Sequence, residues 1–235
     1  MRSRAGILLQ ARLASSRLPG KALQAIGGRP LLEHCLRRLV AAGVARVVLA
    51  TTTRDEDSAL CDLAAGLGVA VYRGSDTDVL ARMAEAAEAF DLDPVVRATG
   101  DNPAVDIQAP GRTLEALRAA NADYAFEDGL PYGAGVEALT RKALRRAARE
   151  ATLPDDREHV TTWVKRRSDL WNLVFPPAPA PLRHPELRVT VDTPGDLAYV
   201  RSLFARTGAD QPSLHALIEA AGPLDSARGK QKEVA

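Results

Sequence analysis

Apolar residues in the first half of the chain follow two alternating patterns. Residues 5–10 form a short apolar run of strand length, whereas residues 30–42 repeat apolar side chains at Leu31, Cys35 and Leu39, which is helical spacing. The predicted strands are residues 5–10, 46–50, 69–72, 95–98 and 123–126, and the predicted helices are residues 30–42, 55–66, 77–90 and 107–120. Short alternating strands and helices are typical of βαβ units, so we expect an α/β protein with a mostly parallel sheet covered by helices on both faces.

The regular alternation ends at about residue 127. Residues 127–137 are rich in glycine and proline, which predicts a loop or a distorted hairpin. Beyond them the pattern predicts helices over 141–151, 155–167, 195–204 and 213–221, strands over 171–175 and 187–191, and an extended, exposed proline-rich segment over 176–181. We therefore expect one domain over residues 1–224 and a disordered tail over 225–235.

Composition narrows the class of protein. The 235 residues are 46% apolar and 26% charged, which is ordinary for a globular protein, and a net charge of +1 argues against a nucleic-acid binder that works through bulk charge. Cys35 and Cys61 fall in helical apolar patterns and give neither a disulfide framework nor zinc spacing. No apolar run is long enough for a membrane span or a signal core, so we expect a cytoplasmic protein that binds no membrane.

A basic loop follows the first predicted strand. Arg12, Arg17 and Lys21 lie there among small and hydroxylated residues, and arginine and lysine are the side chains that hold phosphate oxygens. The loop is not a Walker A motif, because Ala22 follows Lys21 where serine or threonine is needed. The pattern indicates a binding site for a polyphosphate, and the alternative is a solvated surface loop.

Two aspartates follow strands that we expect in the same sheet. Ligands of open α/β sheets bind at the carboxyl ends of the strands, which here include Asp101 and, if the last strand is parallel, Asp192. Two carboxylates facing a basic loop suggest Mg²⁺, which takes one or two carboxylates plus substrate phosphates. The alternatives are a turn residue for Asp101 and a helix cap for Asp192, which precedes Thr193 and Pro194.

The loop and four later segments together resemble a known family. QARLASSRLPGK (10–21) resembles the opening motif of the cytidylyltransferases that make CMP-activated acidic sugars, such as the CMP-KDO and CMP-sialic acid synthetases, and above all the branch named for spore coat polysaccharide biosynthesis protein F. The further segments, in the same order as in the family, are RGSDTDVL (73–80), TGDNP (99–103), REHVT (157–161) and TVDTPGDL (190–197). Five ordered motifs are far more specific than any one of them.

The resemblance implies a nucleotide-diphosphosugar transferase-like, Rossmann-like fold, CTP and an anionic sugar-like acceptor as substrates, Mg²⁺ as cofactor, and a homodimer. The residues it implies for the nucleotide are Arg12, Ser15, Arg17 and Lys21 at the triphosphate and Thr51, Gly74, Ser75 and Asp78 around the base and ribose. It implies Asp101 and Asp192 as metal ligands, Arg17, Lys21, Asp101 and Asp192 as catalytic residues, and Asn102, Glu137, Arg157 and His159 near the acceptor.

The implied reaction is attack of an acceptor oxygen on the α-phosphorus of CTP, with pyrophosphate leaving. His159 is a candidate general base, with an ordinary surface or packing residue as the alternative. Three departures from the branch fall in the acceptor half: Gly135 stands where the branch commonly has Asp, Asn102 where it often has Cys, and Ala104 where it has a larger apolar residue.

Two other functions stay open at the level of sequence. A glycosyltransferase of similar architecture would need an Asp-x-Asp metal motif, and Asp76 and Asp78 have that spacing. A homologue that binds the nucleotide but has lost catalysis would explain the departures in the acceptor half.

Overall fold

The computed structural model describes residues 4–43 and 46–222. Its strands are β1 Arg4–Gln10, β2 Ala25–Ile26, β3 Arg29–Pro30, β4 Val47–Thr52, β5 Ala70–Gly74, β6 Leu92–Thr99, β7 Tyr124–Phe126, β8 Glu137–Leu139 and β9 Leu173–Val174. Its α-helices are α1 Leu31–Ala41, α2 Ser58–Gly66, α3 Val79–Ala89, α4 Ala109–Ala119, α5 Arg141–Glu150, α6 Pro154–His159, α7 Thr162–Arg166, α8 Pro194–Thr207 and α9 Leu214–Ala221. The tail predicted for 225–235 lies outside the described residues.

The main sheet has seven strands in the order β5-β4-β1-β6-β8-β7-β9. β8 is antiparallel to both of its neighbours, and the other pairs are parallel, which confirms the mostly parallel sheet. The chain builds β4 and β5 on one side of β1 and then crosses to place β6 on the other side. Ligand clefts of such sheets open at this reversal of strand order, here at the carboxyl ends of β1 and β6.

Helices cover both faces of the sheet, as predicted. Neighbouring strand residues point to opposite faces, so Ile7 and Leu9 belong to the core that the sheet forms with α1, α2, α4, α8 and α9, whereas Leu8 belongs to the core that it forms with α3, α5 and α7. All three side chains are fully buried. None of the helices in the described part of the chain has the length and hydropathy that a membrane crossing requires.

Two predictions for the second half are wrong, and the prediction for residues 176–181 holds only in part. The helix predicted over 155–167 is broken into α6 and α7 at Val160, whose φ of 63° no α-helix accommodates. The strand predicted over 187–191 forms only an isolated bridge, between Arg188 and Tyr132. The segment 176–181 is not simply exposed: the Ala178 side chain is buried, and the Ala178 amide donates to the carbonyl of Asp128.

The start of α8 decides between the alternatives for Asp192. Thr193 is the N-cap: its hydroxyl accepts a hydrogen bond from the Asp196 amide, and the Asp196 carboxylate accepts one from the Thr193 amide in return. The Asp192 side chain therefore does not cap the helix and is available to the cleft.

Candidate functional site

A wide cleft lies at the carboxyl ends of β1 and β6. Its volume is about 1980 Å³, which exceeds the roughly 1,000 Å³ at the upper end of ordinary small-molecule sites. Its walls include the loop after β1, the turn after β6, the residues between β7 and β8, and α6. A cleft of this size has room for two substrates side by side.

The loop after β1 is held at both ends by hydrogen bonds. The Leu13 amide donates to Oδ1 of the buried Asp57 at 2.7 Å, and the Gly20 amide donates to the Leu13 carbonyl at 3.1 Å. Gly20 adopts a left-handed conformation with φ 68°, and the short 3₁₀ helix Lys21–Leu23 starts directly after it. The turn returns the chain so that Arg12, Arg17 and Lys21 all line the cleft.

Lys21 joins the two aspartates that the sequence singled out. Its Nζ lies 3.1 Å from Asp101 Oδ2 and 3.0 Å from Asp192 Oδ1, and it donates to the Val191 carbonyl at 2.8 Å. The Val191 amide donates to the Asp101 carbonyl at 2.9 Å, which ties the two aspartate segments together. Two carboxylates thus converge on one cation at the edge of the sheet.

Three cations surround the carboxylate of Asp192. Arg17 approaches Oδ1 at 3.1 Å and Arg188 donates to Oδ2 at 2.6 Å, in addition to Lys21. Burial raises the pKa of Asp192, but the hydrogen bond and charge of Lys21, with the charges of the two arginines, outweigh it and lower the pKa below its ordinary value. Asp192 is therefore an ionised carboxylate. We call Arg12, Arg17, Lys21, Asp101 and Asp192 the loop cluster.

Arg12 reaches a different wall of the cleft. Its guanidinium donates to the Asp76 carbonyl at 3.0 Å and to Glu158 Oε1 of α6 at 2.8 Å. Ser15 also lines the cleft and is half-buried. The loop therefore spreads its polar groups along the cleft rather than gathering them at one point.

A second charged group lies deeper, on the sheet itself. Glu137 of β8 is opposite Arg97 of β6 and forms an ion pair with it, and Lys165 Nζ of α7 lies 3.3 Å from Glu137 Oε1. The hydroxyls of Tyr124 and Thr161 each donate to the same Oε1 at 2.7 Å. We call Arg97, Glu137 and Lys165 the sheet cluster.

Glu137 is charged although it is buried. Desolvation raises its pKa, but the charges of Arg97 and Lys165 and the two hydroxyl hydrogen bonds lower it further, to about 2. Burial and the negative charge of Glu137 raise the pKa of Tyr124, so its hydroxyl stays a neutral donor. Glu137 therefore keeps its negative charge near neutral pH.

His159 and Asn102 also line the cleft. His159 is exposed, with its Nε2 3.4 Å from Asp155 Oδ1. Asn102 donates from Nδ2 to the Thr99 hydroxyl at 2.8 Å, whereas its buried Oδ1 has no hydrogen-bond partner among the described residues. A buried carbonyl oxygen without a donor is a candidate contact for a ligand.

Comparison with known proteins identifies the family. The sequence model of the cytidylyltransferase family matches residues 6–220. The chain belongs to the cytidylyltransferase family. It is 31% identical over 215 residues to spore coat polysaccharide biosynthesis protein SpsF of Bacillus subtilis, and the match covers 89% of each chain.

Solved structures show the same fold. A cytidylyltransferase from Leptospira borgpetersenii matches with a TM-score of 0.88 at 27% identity, over 100% of both chains. The CMP:2-keto-3-deoxy-manno-octonic acid synthetase complexed with CTP matches with a TM-score of 0.66 at 22% identity, over 86% of this chain and 99% of that one. These findings confirm the resemblance and the fold, and they make this cytidylyltransferase a nucleotidyltransferase enzyme.

Five of the residues predicted for the substrates do not line the cleft: Thr51, Gly74, Ser75, Asp78 and Arg157. The Thr51 side chain is buried. The Ser75 hydroxyl accepts from the Asp78 amide at 3.1 Å, and a Cβ at Gly74 would lie 2.9 Å from the ring of Tyr72. Gly74, Ser75 and Asp78 shape the turn between β5 and α3. Contact of these three residues and Thr51 with a nucleotide, and of Arg157 with the acceptor, stays a prediction.

Asp78 and Arg157 pair with each other. Asp78 caps α3 by accepting from the Ala81 amide at 2.8 Å, and its other oxygen accepts from Arg157 Nε at 2.9 Å. Asp76 accepts from Arg54 Nε at 2.7 Å. Both carboxylates of the Asp-x-Asp sequence are thus bound to arginines on different elements, an arrangement unlike a metal-binding pair.

Two of the three departures from the branch have a packing consequence. A Cβ at Gly135 would lie 3.0 Å from the ring of Phe126, so an aspartate there would push this ring aside. Ala104 is buried in the core on the α1 face of the sheet. The small residue at Gly135 leaves space beside the sheet cluster, and the small residue at Ala104 leaves space behind the turn that carries Asp101.

Sequence reasoning missed Arg97, Lys165 and Arg188. Arg97 is a charged residue between the buried apolar residues Val96 and Ala98 of β6, which is a usable signal, because a charge in a buried strand needs a partner. Lys165 and Arg188 lie in segments whose predicted helix and strand are wrong, so no face could be assigned to them.

Proposed function

We propose that this cytidylyltransferase transfers CMP from CTP to an anionic, sugar-like acceptor and releases pyrophosphate. The observation that carries the proposal is the convergence of Asp101 and Asp192 on Lys21, beside a loop that presents Arg12 and Arg17. One structural relative is a synthetase complexed with CTP, and the name of SpsF places that second relative in polysaccharide biosynthesis. The cytoplasmic homodimer implied by the sequence stays a prediction.

The reaction needs positioning and charge neutralisation more than a covalent intermediate. A bond forms between an acceptor oxygen and the α-phosphorus, the bond from the α-phosphorus to the bridging oxygen breaks, and pyrophosphate leaves with that oxygen. Arg17 and Lys21 neutralise the charge of the leaving pyrophosphate. The attacking hydroxyl of the second substrate gives up its proton, and His159 is the candidate general base in the cleft.

Asp101 and Asp192 fit a magnesium ion. Both are oxygen ligands, and they already converge on a single cation, the Lys21 ammonium. In the described residues no group of three or more His, Cys, Asp or Glu side chains could hold a metal, so the remaining ligands would be phosphate and water oxygens. When bound, Mg²⁺ would stabilise the charge that develops on the reacting phosphate.

The test is pyrophosphate release with Mg²⁺ and each of the four nucleoside triphosphates, against pools of sugar carboxylates, cyclitols and phosphonates. We expect release with CTP and not with the other three. CTP binding without release in any pool would favour the inactive homologue. Neither binding nor release, together with transfer from a ready-made nucleotide sugar, would favour the glycosyltransferase.

A further inference from the structure

The segment that carries Asp192 is not secured by a β-ladder. Residues 187–191 form no strand, and their backbone is held by hydrogen bonds to loops on two sides. On one side, the Val191 amide donates to the Asp101 carbonyl at 2.9 Å. The separation of the two carboxylates of the loop cluster, Asp101 and Asp192, therefore depends on where these neighbouring loops place the segment.

On the other side, the segment lies against the wall of the cleft between β7 and β8. The Tyr132 amide donates to the Leu187 carbonyl at 2.8 Å, and the Tyr132 carbonyl accepts from the Val189 amide at 2.8 Å. Gly133 follows directly in the chain and contacts the buried Thr190. The two hydrogen bonds therefore bring Gly133 against the residue that lies two places before Asp192.

Gly133 approaches Thr190 more closely than any other residue type could. A Cβ at position 133 would lie 2.6 Å from the Thr190 nitrogen and 2.9 Å from the Thr190 Cα, well inside van der Waals contact. Both are backbone atoms, so no side-chain rotation relieves the overlap. Gly133 also has a φ of 96°, which favours glycine. A side chain at position 133 would therefore displace the segment that leads to Asp192.

We propose that Gly133 is a positioning residue that sets the distance between Asp192 and Asp101. The inference rests on the proposed function, because these are the carboxylates that we assign to the reacting centre. Gly133 acts by lacking a side chain. The segment can therefore lie close enough for the Val191 amide to reach Asp101. The same placement brings Asp192 to Lys21.

The experiment compares Gly133→Ala with Gly28→Ala. Gly28 lies in the exposed turn between β2 and β3, outside the cleft, with a φ of 84° and no atom within 4 Å of where its Cβ would lie. Gly28→Ala therefore places alanine at a positive φ without the overlap. We expect Gly133→Ala to lower kcat/KM for CTP about 10²-fold, the effect of a displacement of about 1 Å at a reacting centre. Gly28→Ala should leave this constant unchanged, and equal values for the two variants would contradict the proposal.

A double-mutant cycle separates positioning from a general loss of structure. In the Asp192→Asn background the carboxylate that Gly133 positions is absent. Adding Gly133→Ala to this background should therefore lower kcat/KM by far less than it does in the wild type. Equal fold-changes in the two backgrounds would overturn the inference.

Amide hydrogen exchange tests the same inference without turnover. We expect the Val191 amide to exchange at least about tenfold faster in Gly133→Ala than in the wild type, as when one hydrogen bond is lost, but not in Gly28→Ala. The reference for global unfolding is the buried Ile7 of β1, whose amide donates to the Arg46 carbonyl at 2.8 Å. Unchanged exchange of Val191 relative to Ile7 would also overturn the inference.

A second pair of variants keeps the test decisive if Gly133→Ala does not fold. Thr190→Gly removes the Thr190 Cβ, which would lie 2.8 Å from the added methyl group, whereas the overlaps with the backbone remain. We then expect kcat/KM for CTP to be lower in the double variant Gly133→Ala, Thr190→Gly than in Thr190→Gly alone, and equal values would count against Gly133. A wild type that releases no pyrophosphate from CTP would instead overturn the proposed function, and the exchange of Val191 would still test the placement of the segment.

Discussion

The loop cluster and the sheet cluster lie in one cleft but are built on opposite principles. The loop cluster places its cations on a turn, where the Arg17 side chain is 64% exposed and pairs with a carboxylate that it shares with two other cations. The sheet cluster places its carboxylate on a strand, where the Glu137 side chain is 10% exposed and surrounded by donors. We expect the first arrangement to exchange carboxylate partners for phosphate oxygens when a nucleotide binds, and the second to keep its partners.

This contrast separates catalysis from stability. A substitution in the loop cluster removes a group that we propose acts on the substrate, and the remaining cations keep other partners, since Lys21 also contacts Asp101 and Arg188 also contacts Asp196. Substitution of Glu137 in the sheet cluster leaves the buried Arg97 without its ion-pair partner, which costs folding free energy. Kinetic and thermodynamic measurements should therefore rank the two clusters in opposite order.

The largest expected effect is that of Asp192→Asn. Because it removes one of the two converging carboxylates, we expect kcat/KM for CTP to fall on the order of 10³-fold. Lys21 keeps Asp101 and Arg188 keeps Asp196 within reach, so we expect the free energy of unfolding to fall by less than it does in Glu137→Gln. Steady-state kinetics and urea unfolding measure the two quantities.

The matched control is Asp62→Asn, at an exposed residue of α2 outside the cleft. This substitution should leave both kcat/KM for CTP and the free energy of unfolding unchanged. Near-normal turnover of Asp192→Asn would remove Asp192 from the reacting centre and leave it as a partner of Arg17 and Arg188.

Glu137→Gln should have the largest effect on stability. In the folded protein the pKa of Glu137 is lowered from its ordinary value near 4.5 to about 2, a difference equivalent to about 3 kcal/mol at neutral pH. A lowered folded pKa stabilises the protein above the unfolded value, and this stabilisation is lost as the pH falls from about 5 towards 2. The difference in unfolding free energy between wild type and variant should therefore be larger at pH 7 than at pH 3.

Urea unfolding of both proteins at the two pH values measures that difference. A gap of the same size at pH 7 and pH 3 would mean that the charge of Glu137 does not stabilise the fold, and that the variant acts only through altered packing.

The two clusters also differ in how far the sequence predicts them. The loop cluster was predictable because Arg12, Arg17 and Lys21 are close together in the chain, and Asp101 follows a strand whose position the apolar pattern gives. The sequence placed Asp192 beside these residues only if the last strand was parallel, and that strand does not form. Asp192 is instead brought to them by the backbone hydrogen bond between Val191 and Asp101.

The sheet cluster depends on long-range strand pairing and on a break in a helix, which no local sequence pattern predicts. Glu137 meets Arg97 only because β8 inserts antiparallel between β6 and β7, after a segment without periodicity. Lys165 meets Glu137 only because the helical segment breaks at Val160, which turns α7 towards the sheet. Long-range pairing and a single backbone conformation, rather than residue type, decide this part of the site.

Arg17→Ala tests the exchange of partners in the loop cluster. We expect nucleotide affinity to fall about tenfold, the effect of losing one charge-assisted contact with a phosphate. Stability should be unchanged, because an ion pair with so exposed a partner contributes about 1 kcal/mol or less. Calorimetric titration with CTP measures the affinity.

Arg145→Ala is the comparison for Arg17→Ala, since Arg145 is 58% exposed and pairs with Glu88 outside the cleft. If both variants bind CTP as tightly as the wild type, Arg17 is only a solvated surface cation, the alternative that the sequence left open.

Asp78→Asn should have the smallest effect on catalysis. Asp78 caps α3 and pairs with Arg157, and neither residue lines the cleft. We expect the free energy of unfolding to fall by about 1 kcal/mol, as for other weakened caps and partly exposed ion pairs, and the KM for CTP to stay within about twofold. A clear rise in that KM with little loss of stability would return Asp78 to the base and ribose, as the resemblance implies, and would mean that this pair opens when the nucleotide enters.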